Sequence, residues 1–337
     1  MTEITSTWQE FLKQQAANFS AELSDNFVTP LNDLGIIAVC GDDAASFLHN
    51  QLTNDVEHLT SNQVRRAGYC TPKGRLLASF LMWKNQQGFF LQLPKEIQAA
   101  VQKRMQMFIM RSKVKMADVS DSQIVLALGG NAVGAALAKW FPNLPDAPYA
   151  NIENEHGCLM RLDDAQGIAR YQWHTTTEMA ITAWPGLVEK LTPVDSRVWR
   201  LGEIEAGIPQ ITLATQEQFV PQMINFEVIG GVNFKKGCYP GQEIVARSQY
   251  LGKLKRRAVI AKIVSAEVAA GMAVFSSADP AQPCGMIINA ESSTSDTFIC
   301  ILEIKLAALE NGSVHLGSAD GAPLTVLPLP YAMPDAN

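Results

Sequence analysis

The residues best suited to chemistry lie in one short segment, Lys235-Lys236-Gly237-Cys238-Tyr239-Pro240-Gly241-Gln242-Glu243. Gly237 and Gly241 allow tight backbone turns around the thiol. Pro240 suits the first turn of a helix, which is expected to continue through Arg247. The positive end of that helix and the two lysines would both favour the thiolate form of Cys238. Such a thiolate could serve as a nucleophile, a redox switch or a transient metal ligand.

A structural role for Cys238 is equally consistent with these residues, because free cysteine is among the most buried residue types. The other five cysteines have apolar neighbours and are expected to pack in the core; they are Cys40, Cys70, Cys158, Cys284 and Cys300. None of the six forms a C-x-x-C pair. No structural zinc site or complete iron–sulfur site is therefore expected within this chain, and no metal ligands are predicted.

Basic residues follow the cysteine segment in the order Arg247, Lys253, Lys255, Arg256 and Arg257. Together with Lys235 and Lys236 they could form an anion-binding surface. The alternative is a solvated strand edge, where lysines discourage pairing with other chains. Spacing alone leaves both interpretations open.

Composition and charge set limits on the whole chain of 337 residues. Apolar residues make up 47% and charged residues 18%, which is typical of a folded protein with sizeable cores. The formal net charge of −6 argues against a surface that binds nucleic acid throughout. No secretory signal is expected at the N-terminus, and apolar stretches such as Leu76–Trp83 are too short to span a membrane. A cytoplasmic protein without membrane contact is expected.

Hydrophobic patterning predicts two successive units of α+β type with antiparallel sheets. In the first, strands are expected at 35–40, 64–71, 76–83, 89–93 and 113–119, with helices near 42–52 and 94–110. In the second, strands are expected at 124–128, 157–163, 167–173 and 178–183, with helices at 131–140 and 185–191. A helix over 196–206 then ends at Gly207. The glycines match neither a dinucleotide-binding nor a phosphate-loop pattern.

These elements predict an N-terminal extension over residues 1–25 and a central region over 26–249. The central region would contain modules at 26–120 and 121–195 and a connecting segment at 196–249. Short strands separated by Gly, Ser, Asp and Pro predict a β-barrel domain over 250–337.

The segment Lys236–Glu243 resembles the K-G-C-Y-x-G-Q-E signature of the YgfZ proteins, which are folate-binding relatives of the glycine-cleavage T-protein, an aminomethyltransferase. Other segments resemble the same family over roughly residues 30–331: Phe47–Leu48 with Gln51–Val56, Tyr69–Gly74, Ile204–Pro209, Phe219–Gln222 and Pro328–Tyr331. The resemblance implies an α+β aminomethyltransferase fold with ferredoxin-like modules and a C-terminal β-barrel. It also implies three domains around a central opening that accepts tetrahydrofolate.

The same resemblance implies a set of folate-binding residues. Trp199 matches a tryptophan that members of the family use for folate, and Glu205 matches the T-protein glutamate that contacts the pterin. The second folate-associated tryptophan of the family is replaced here by Leu34, which offers area but no π-face. The basic residues around 235–257, including Lys236 and Arg247, would meet the anionic glutamate tail, and Tyr239 would lie beside it.

The resemblance further implies a role in tRNA modification and in the assembly or repair of iron–sulfur enzymes, with radical tRNA methylthiotransferases as expected clients. Contact with tRNA would be indirect, and a monomer is expected. The T-protein's essential aspartate would fall near Ala78, so ordinary aminomethyl transfer is not expected. Two alternatives stay open: a one-carbon transferase with a relocated acid–base group, and a non-enzymatic scaffold whose C-terminal barrel and basic residues at 235–257 contact tRNA.

Overall fold

The computed structural model of the chain describes residues 2–15, 19–20, 22–250 and 254–334. Contacts within the chain divide it into two compact units. The first unit comprises Met1–Ala44, Leu59–Arg65 and Leu81–Gly202, and the second comprises Ala45–His58, Arg66–Phe80 and Glu203–Asn337. Each unit is therefore assembled from segments far apart in sequence. The predicted domain boundaries at 25, 120, 195 and 249 stay predictions.

Helices and short strands alternate along the first two thirds of the chain, and strands dominate the last third. The helices are α1 (Thr2–Gln15), α2 (Ala44–Gln51), α3 (Lys95–Gln106), α4 (Val133–Leu137), α5 (Thr177–Val188), α6 (Arg197–Glu205), α7 (Gln242–Tyr250) and α8 (Leu306–Glu310). The strands are β1 (Phe27–Pro30), β2 (Leu34–Cys40), β3 (Arg65–Cys70), β4 (Leu76–Asn85), β5 (Gly88–Pro94), β6 (Lys115–Asp118), β7 (Ile124–Gly129), β8 (Asn151–Asn154), β9 (Gly157–Ala165), β10 (Ile168–Thr175), β11 (Thr192–Pro193), β12 (Arg256–Val264), β13 (Ala273–Ser276), β14 (Asp279–Ser292), β15 (Thr297–Lys305), β16 (Val314–Leu316) and β17 (Leu324–Leu327).

A six-stranded sheet in the first unit has the order β11-β1-β7-β10-β9-β8. Its pairs are antiparallel except for β1 with β11. Strand β7 consists almost entirely of apolar residues, because both of its faces are buried. Leu126 and Leu128 pack into one core cluster with α1, α4 and α5, while Val125 and Ala127 pack into another. Successive side chains of a strand point to opposite faces, so both faces of β7 are buried.

A five-stranded sheet has the order β3-β4-β5-β2-β6. Strand β2 pairs antiparallel with both β5 and β6, and β4 pairs antiparallel with β5. Helix α3 follows β5 directly and packs against β2. Ala78 and Ser79 lie in β4, whose first part, Leu76–Phe80, belongs to the second unit.

A second six-stranded sheet lies in the second unit, with the order β16-β13-β14-β15-β12-β17. An antiparallel bridge between His315 of β16 and Pro323, next to the start of β17, joins the two edges of this sheet. The sheet therefore curls on itself around a core that includes Ile287, Cys300 and Leu302. Closure of this kind leaves fewer unpaired strand edges.

Several elements differ from the sequence prediction. The strand predicted at 178–183 is wrong, because these residues belong to helix α5, with Pro185 inside it. The Thr176 side chain accepts a hydrogen bond from the Met179 N–H and so caps the helix, which begins at Thr177, one residue before the predicted strand. Strands β1, β8 and β17 were not predicted; each has only four residues. Such short strands carry too little periodicity to be recognised.

Candidate functional site

The loop that carries Cys238 is held in place by glycine. Gly241 has a φ of +80°, and a Cβ at this position would lie 2.4 Å from the carbonyl oxygen of Thr71 and 2.6 Å from Gly74. Only glycine fits such a close approach in this backbone conformation. Helix α7 begins at Gln242, two residues after the proline that was expected to start it. Cys238 itself is exposed to solvent, so the alternative of a buried structural cysteine is wrong.

Lys236 fixes the same loop from the other side. Its ammonium group donates hydrogen bonds to the carbonyl oxygens of His49 and Leu52, the second at 2.8 Å. These carbonyls lie at the C-terminal end of α2, where backbone acceptors have no partner within the helix and the helix dipole is negative. The ammonium also lies 4.9 Å from the centre of the Tyr239 ring. Lys236 is thus committed to contacts within the protein.

The carboxylates of Asp55 and Glu57 act on Lys236 from nearby. Burial lowers the pKa of Lys236 to about 8, while Asp55, Cys238 and Glu57 act in the opposite direction. His49 Nδ1 lies 3.3 Å from the Asp55 carboxylate, which also contacts His58 Nδ1 at 2.8 Å. The surroundings of the thiol are therefore mixed in charge, whereas the two upstream lysines alone predicted a positive environment.

Two polar residues after α2 support the chain that leads to the cysteine loop. Thr53 Oγ1 donates to the carbonyl of Gly231 at 2.6 Å, and Asn54 Nδ2 donates to the carbonyl of Gly230 at 2.7 Å. The Asn233 N–H donates to the carbonyl of Thr53 at 2.9 Å. Both side chains are buried, so these hydrogen bonds are shielded from water. This support was not predicted from the sequence, because more than 170 residues separate the partners.

Tyr239 points into the protein and is buried. Burial raises the pKa of its hydroxyl, and Cys70 adds to the same effect. The hydroxyl has no hydrogen-bond partner among the described residues. In this conformation Tyr239 anchors the loop, and its predicted contact with folate stays a prediction.

The basic surface expected around 235–257 is smaller than the sequence predicted. Arg256 Nη1 donates to both carboxylate oxygens of Glu303, at 2.6 and 2.8 Å. Arg257 pairs with Glu227 and also donates to the carbonyl of Gln222 at 3.0 Å. Exposed cations do remain, namely Lys235, Arg247 and Lys255, while Lys253 lies outside the described residues.

The other cysteines divide into two groups. Cys70, Cys158, Cys284 and Cys300 are buried, as predicted. Burial raises the pKa of Cys70, Cys158 and Cys300 to about 12, so these thiols are unreactive at neutral pH. The prediction of core packing is wrong for Cys40, which is exposed at the end of β2.

Trp199 and Leu34 lie in the first unit and belong to one apolar cluster. Trp199 is only 3% exposed, and the guanidinium carbon of Arg170 lies 4.5 Å from the centre of its ring. One face of the indole is therefore covered by a cation–π contact. Leu34 is partly buried at the start of β2. The predicted stacking of a pterin on Trp199 stays a prediction.

Glu205 is the last residue of α6 and is half-buried. Ala78 is fully buried in β4, and the neighbouring Ser79 accepts a hydrogen bond from the Ile211 N–H at 3.0 Å. No carboxylate therefore stands at position 78. Among the described residues, no group of three or more His, Cys, Asp or Glu side chains could hold a metal ion. No helix in that part of the chain has the length and apolar character needed to cross a membrane.

Comparison with solved structures identifies the fold. The aminomethyltransferase T of the glycine cleavage system from Bartonella henselae superposes with a TM-score of 0.74 at 16% identity, covering 94% of this chain and 88% of the other. The predicted fold class, an α+β aminomethyltransferase fold, is confirmed.

Comparison with curated proteins identifies relatives. No family model matches the chain. The tRNA-modifying protein YgfZ of Pectobacterium carotovorum subsp. carotovorum is 30% identical over 237 residues, 70% of each chain. The protein of the same name from Pectobacterium atrosepticum gives the same values. That from Klebsiella pneumoniae is 28% identical over 319 residues, which cover 94% of this chain and 96% of the relative. The chain therefore belongs to the family of the tRNA-modifying YgfZ proteins.

Proposed function

We propose that this chain is a folate-binding accessory protein that uses tetrahydrofolate to support tRNA modification and the assembly or repair of iron–sulfur enzymes. The name shared by its relatives supports the role in tRNA modification. The aminomethyltransferase fold supports the use of a folate. Iron–sulfur client enzymes, such as radical tRNA methylthiotransferases, are the proposed partners.

One observation carries this proposal: an exposed thiol sits on a loop that several buried contacts hold rigid. Cys238 faces solvent, while Lys236 and Tyr239 on either side are fixed by the end of α2 and by burial. A side chain placed in this way can meet a second molecule without a change in the loop. Reactive groups are commonly presented by loops on a rigid scaffold in this manner.

The proposed folate residues fit the cofactor in part. The half-buried Glu205 carboxylate is an acceptor suited to the amide and amino N–H groups of a pterin. The exposed Arg247 is suited to the carboxylates of a glutamate tail. Trp199 presents no open face in this conformation, so it and Leu34 fit as apolar packing. Bound tetrahydrofolate would supply a carrier for a one-carbon unit.

The experiment is complementation of a bacterial strain that lacks its own member of the family, with methylthiolated tRNA nucleosides measured by mass spectrometry. The chain carrying Cys238→Ser should restore less than about a tenth of the modified nucleoside that the unchanged chain restores. Cys40→Ser is the matched control, since both thiols are exposed. This control should restore full modification.

Circular dichroism and thermal unfolding would check that both variants fold as well as the unchanged chain. If they do, a loss of modification by Cys238→Ser is due to the missing thiol. Full restoration by Cys238→Ser would show that the thiol of Cys238 has no chemical role. Failure of the unchanged chain to restore any modification would overturn the proposed function.

A second candidate is a one-carbon transferase that uses a different acid–base group. The aminomethyltransferase fold favours this candidate. The candidate predicts turnover of an aminomethyl or formaldehyde donor at saturating tetrahydrofolate. Absence of turnover by folded protein would exclude it.

A further inference from the structure

The segment after α3 forms an exposed apolar tip. Helix α3 ends at Gln106, and the next residues form consecutive turns in place of the helix predicted to reach Met110. The side chains of Met107, Phe108 and Met110 are 64%, 46% and 89% exposed. Large apolar side chains clustered in this way on a surface indicate an interaction site.

The backbone of the tip is held in an unusual conformation. Met110 has a φ of +45°, in the left-handed region that non-glycine residues rarely adopt. A hydrogen bond from the Ser112 N–H to the carbonyl of Ile109 at 2.8 Å closes the turn around it. Strained residues of this kind are concentrated at functional sites, where the surrounding structure maintains them.

Positive charge surrounds the tip, in contrast to the acidic chain as a whole. Residues 103–116 contain no Asp or Glu but five basic residues, namely Lys103, Arg104, Arg111, Lys113 and Lys115, while the chain has a net charge of −6. Lys113 pairs with Asp42 at 3.0 Å, and Asp43 accepts a hydrogen bond from the Lys113 N–H. Lys103, Arg111 and Lys115 are exposed and form no ion pair among the described residues.

We propose that this tip surface, formed by Met107, Phe108, Met110, Lys103, Arg111 and Lys115, binds tRNA directly. The three unpaired cations would contact backbone phosphates, and Phe108 would stack on an unpaired base. A protein partner is disfavoured, because a stable protein interface needs about 800 Å² from each side and three exposed apolar side chains supply much less. This inference rests on the proposed role in tRNA modification.

The surface differs from the one that the sequence indicated for tRNA. A scaffold function was expected to use the C-terminal barrel and the basic residues at 235–257, but Arg256 and Arg257 are already paired with carboxylates. The tip surface lies in the first unit, as α3 and β6 do.

The test is fluorescence anisotropy of the purified full chain with labelled, deacylated elongator tRNA between 50 and 200 mM KCl. Three phosphate contacts predict that log K falls with log [KCl] with a slope between about −2 and −3. The triple variant Lys103→Gln/Arg111→Gln/Lys115→Gln should bring this slope close to zero. Phe108→Ala should weaken binding about 5- to 100-fold and leave the slope unchanged.

Lys262→Gln is the matched control, because Lys262 is an exposed lysine on β12 in the second unit. It should change neither affinity nor slope. The proposal is overturned if the unchanged chain binds no tRNA, or if the triple variant and Phe108→Ala bind as the unchanged chain does. In either case restored tRNA modification in the complemented strain would leave the proposed function standing, so the two failures are distinguishable.

Discussion

Lys236 and Cys238 are two residues apart, and the structure uses their side chains differently. Lys236 turns inward to the carbonyls at the end of α2, while Cys238 faces solvent. The sequence predicted that both would contribute to ligand chemistry. The residues near Lys236 in the sequence could not identify its hydrogen-bond acceptors, because these lie 184 and 187 residues earlier in the chain.

Replacing Lys236 tests this structural role. Lys236→Met should lower the free energy of unfolding by about 1–3 kcal/mol, because two helix carbonyls lose a charged donor. Urea denaturation at pH 7 measures the change. Lys235→Met, an exposed neighbour, should change stability by less than about 0.5 kcal/mol. Equal effects of the two substitutions would show that the ammonium of Lys236 does not hold the loop.

The pKa of Lys236 makes this stability dependent on pH. Folding lowers the pKa from 10.5 to about 8, chiefly through burial, so between these values the folded chain has released a proton that the unfolded chain retains. Stability rises with pH wherever the unfolded state binds more protons. The stability of the unchanged chain relative to Lys236→Met should therefore increase from pH 7 to pH 10. Denaturation of both chains at several pH values would measure this difference in the free energy of unfolding. A difference that decreases with pH would contradict burial of the Lys236 ammonium.

At the scale of elements, some local sequence signals were interpreted correctly and others were not. The end of α6 was predicted from the helix-terminating Gly207. This prediction is confirmed, since Gly207 has a φ of +68°. Helix α5 was mistaken for a strand, although Ala180, Ala183, Trp184 and Leu187 have the spacing of a buried helix face. Pro185 was taken as the start of a helix that begins eight residues earlier.

Replacing Gly207 tests whether glycine is required at the C-terminal end of α6. A Cβ there would lie 2.6 Å from the Tyr331 ring, whose hydroxyl donates to the Gly207 carbonyl at 3.0 Å. Gly207→Ala should lower the free energy of unfolding by about 2–4 kcal/mol, combining the left-handed backbone with a steric clash. Gly167→Ala is the control, because Gly167 also has a positive φ but nothing within 4 Å. It should cost about 1 kcal/mol, and equal costs would contradict the clash with Tyr331.

For the whole molecule, the fold class was predicted because segments spread over residues 30–331 resemble one family. The site was predicted less completely, because its geometry depends on contacts between distant segments. Asn54 reaches Gly230, and Arg257 reaches Glu227 in a buried ion pair that removes it from the expected anion-binding surface. Residue types identified the cysteine loop. They could not identify which charges the fold had already neutralised.

The most direct measurement of the central claim is a calorimetric titration of the folded chain with tetrahydrofolate under reducing conditions. We predict saturable binding of one folate per chain. Glu205→Gln should weaken this binding about 10- to 100-fold, as expected when a charged hydrogen-bond acceptor is lost, while the exposed Glu189→Gln should not change it. A folded chain that gives no heat of binding at any tested concentration of tetrahydrofolate would contradict the proposed function.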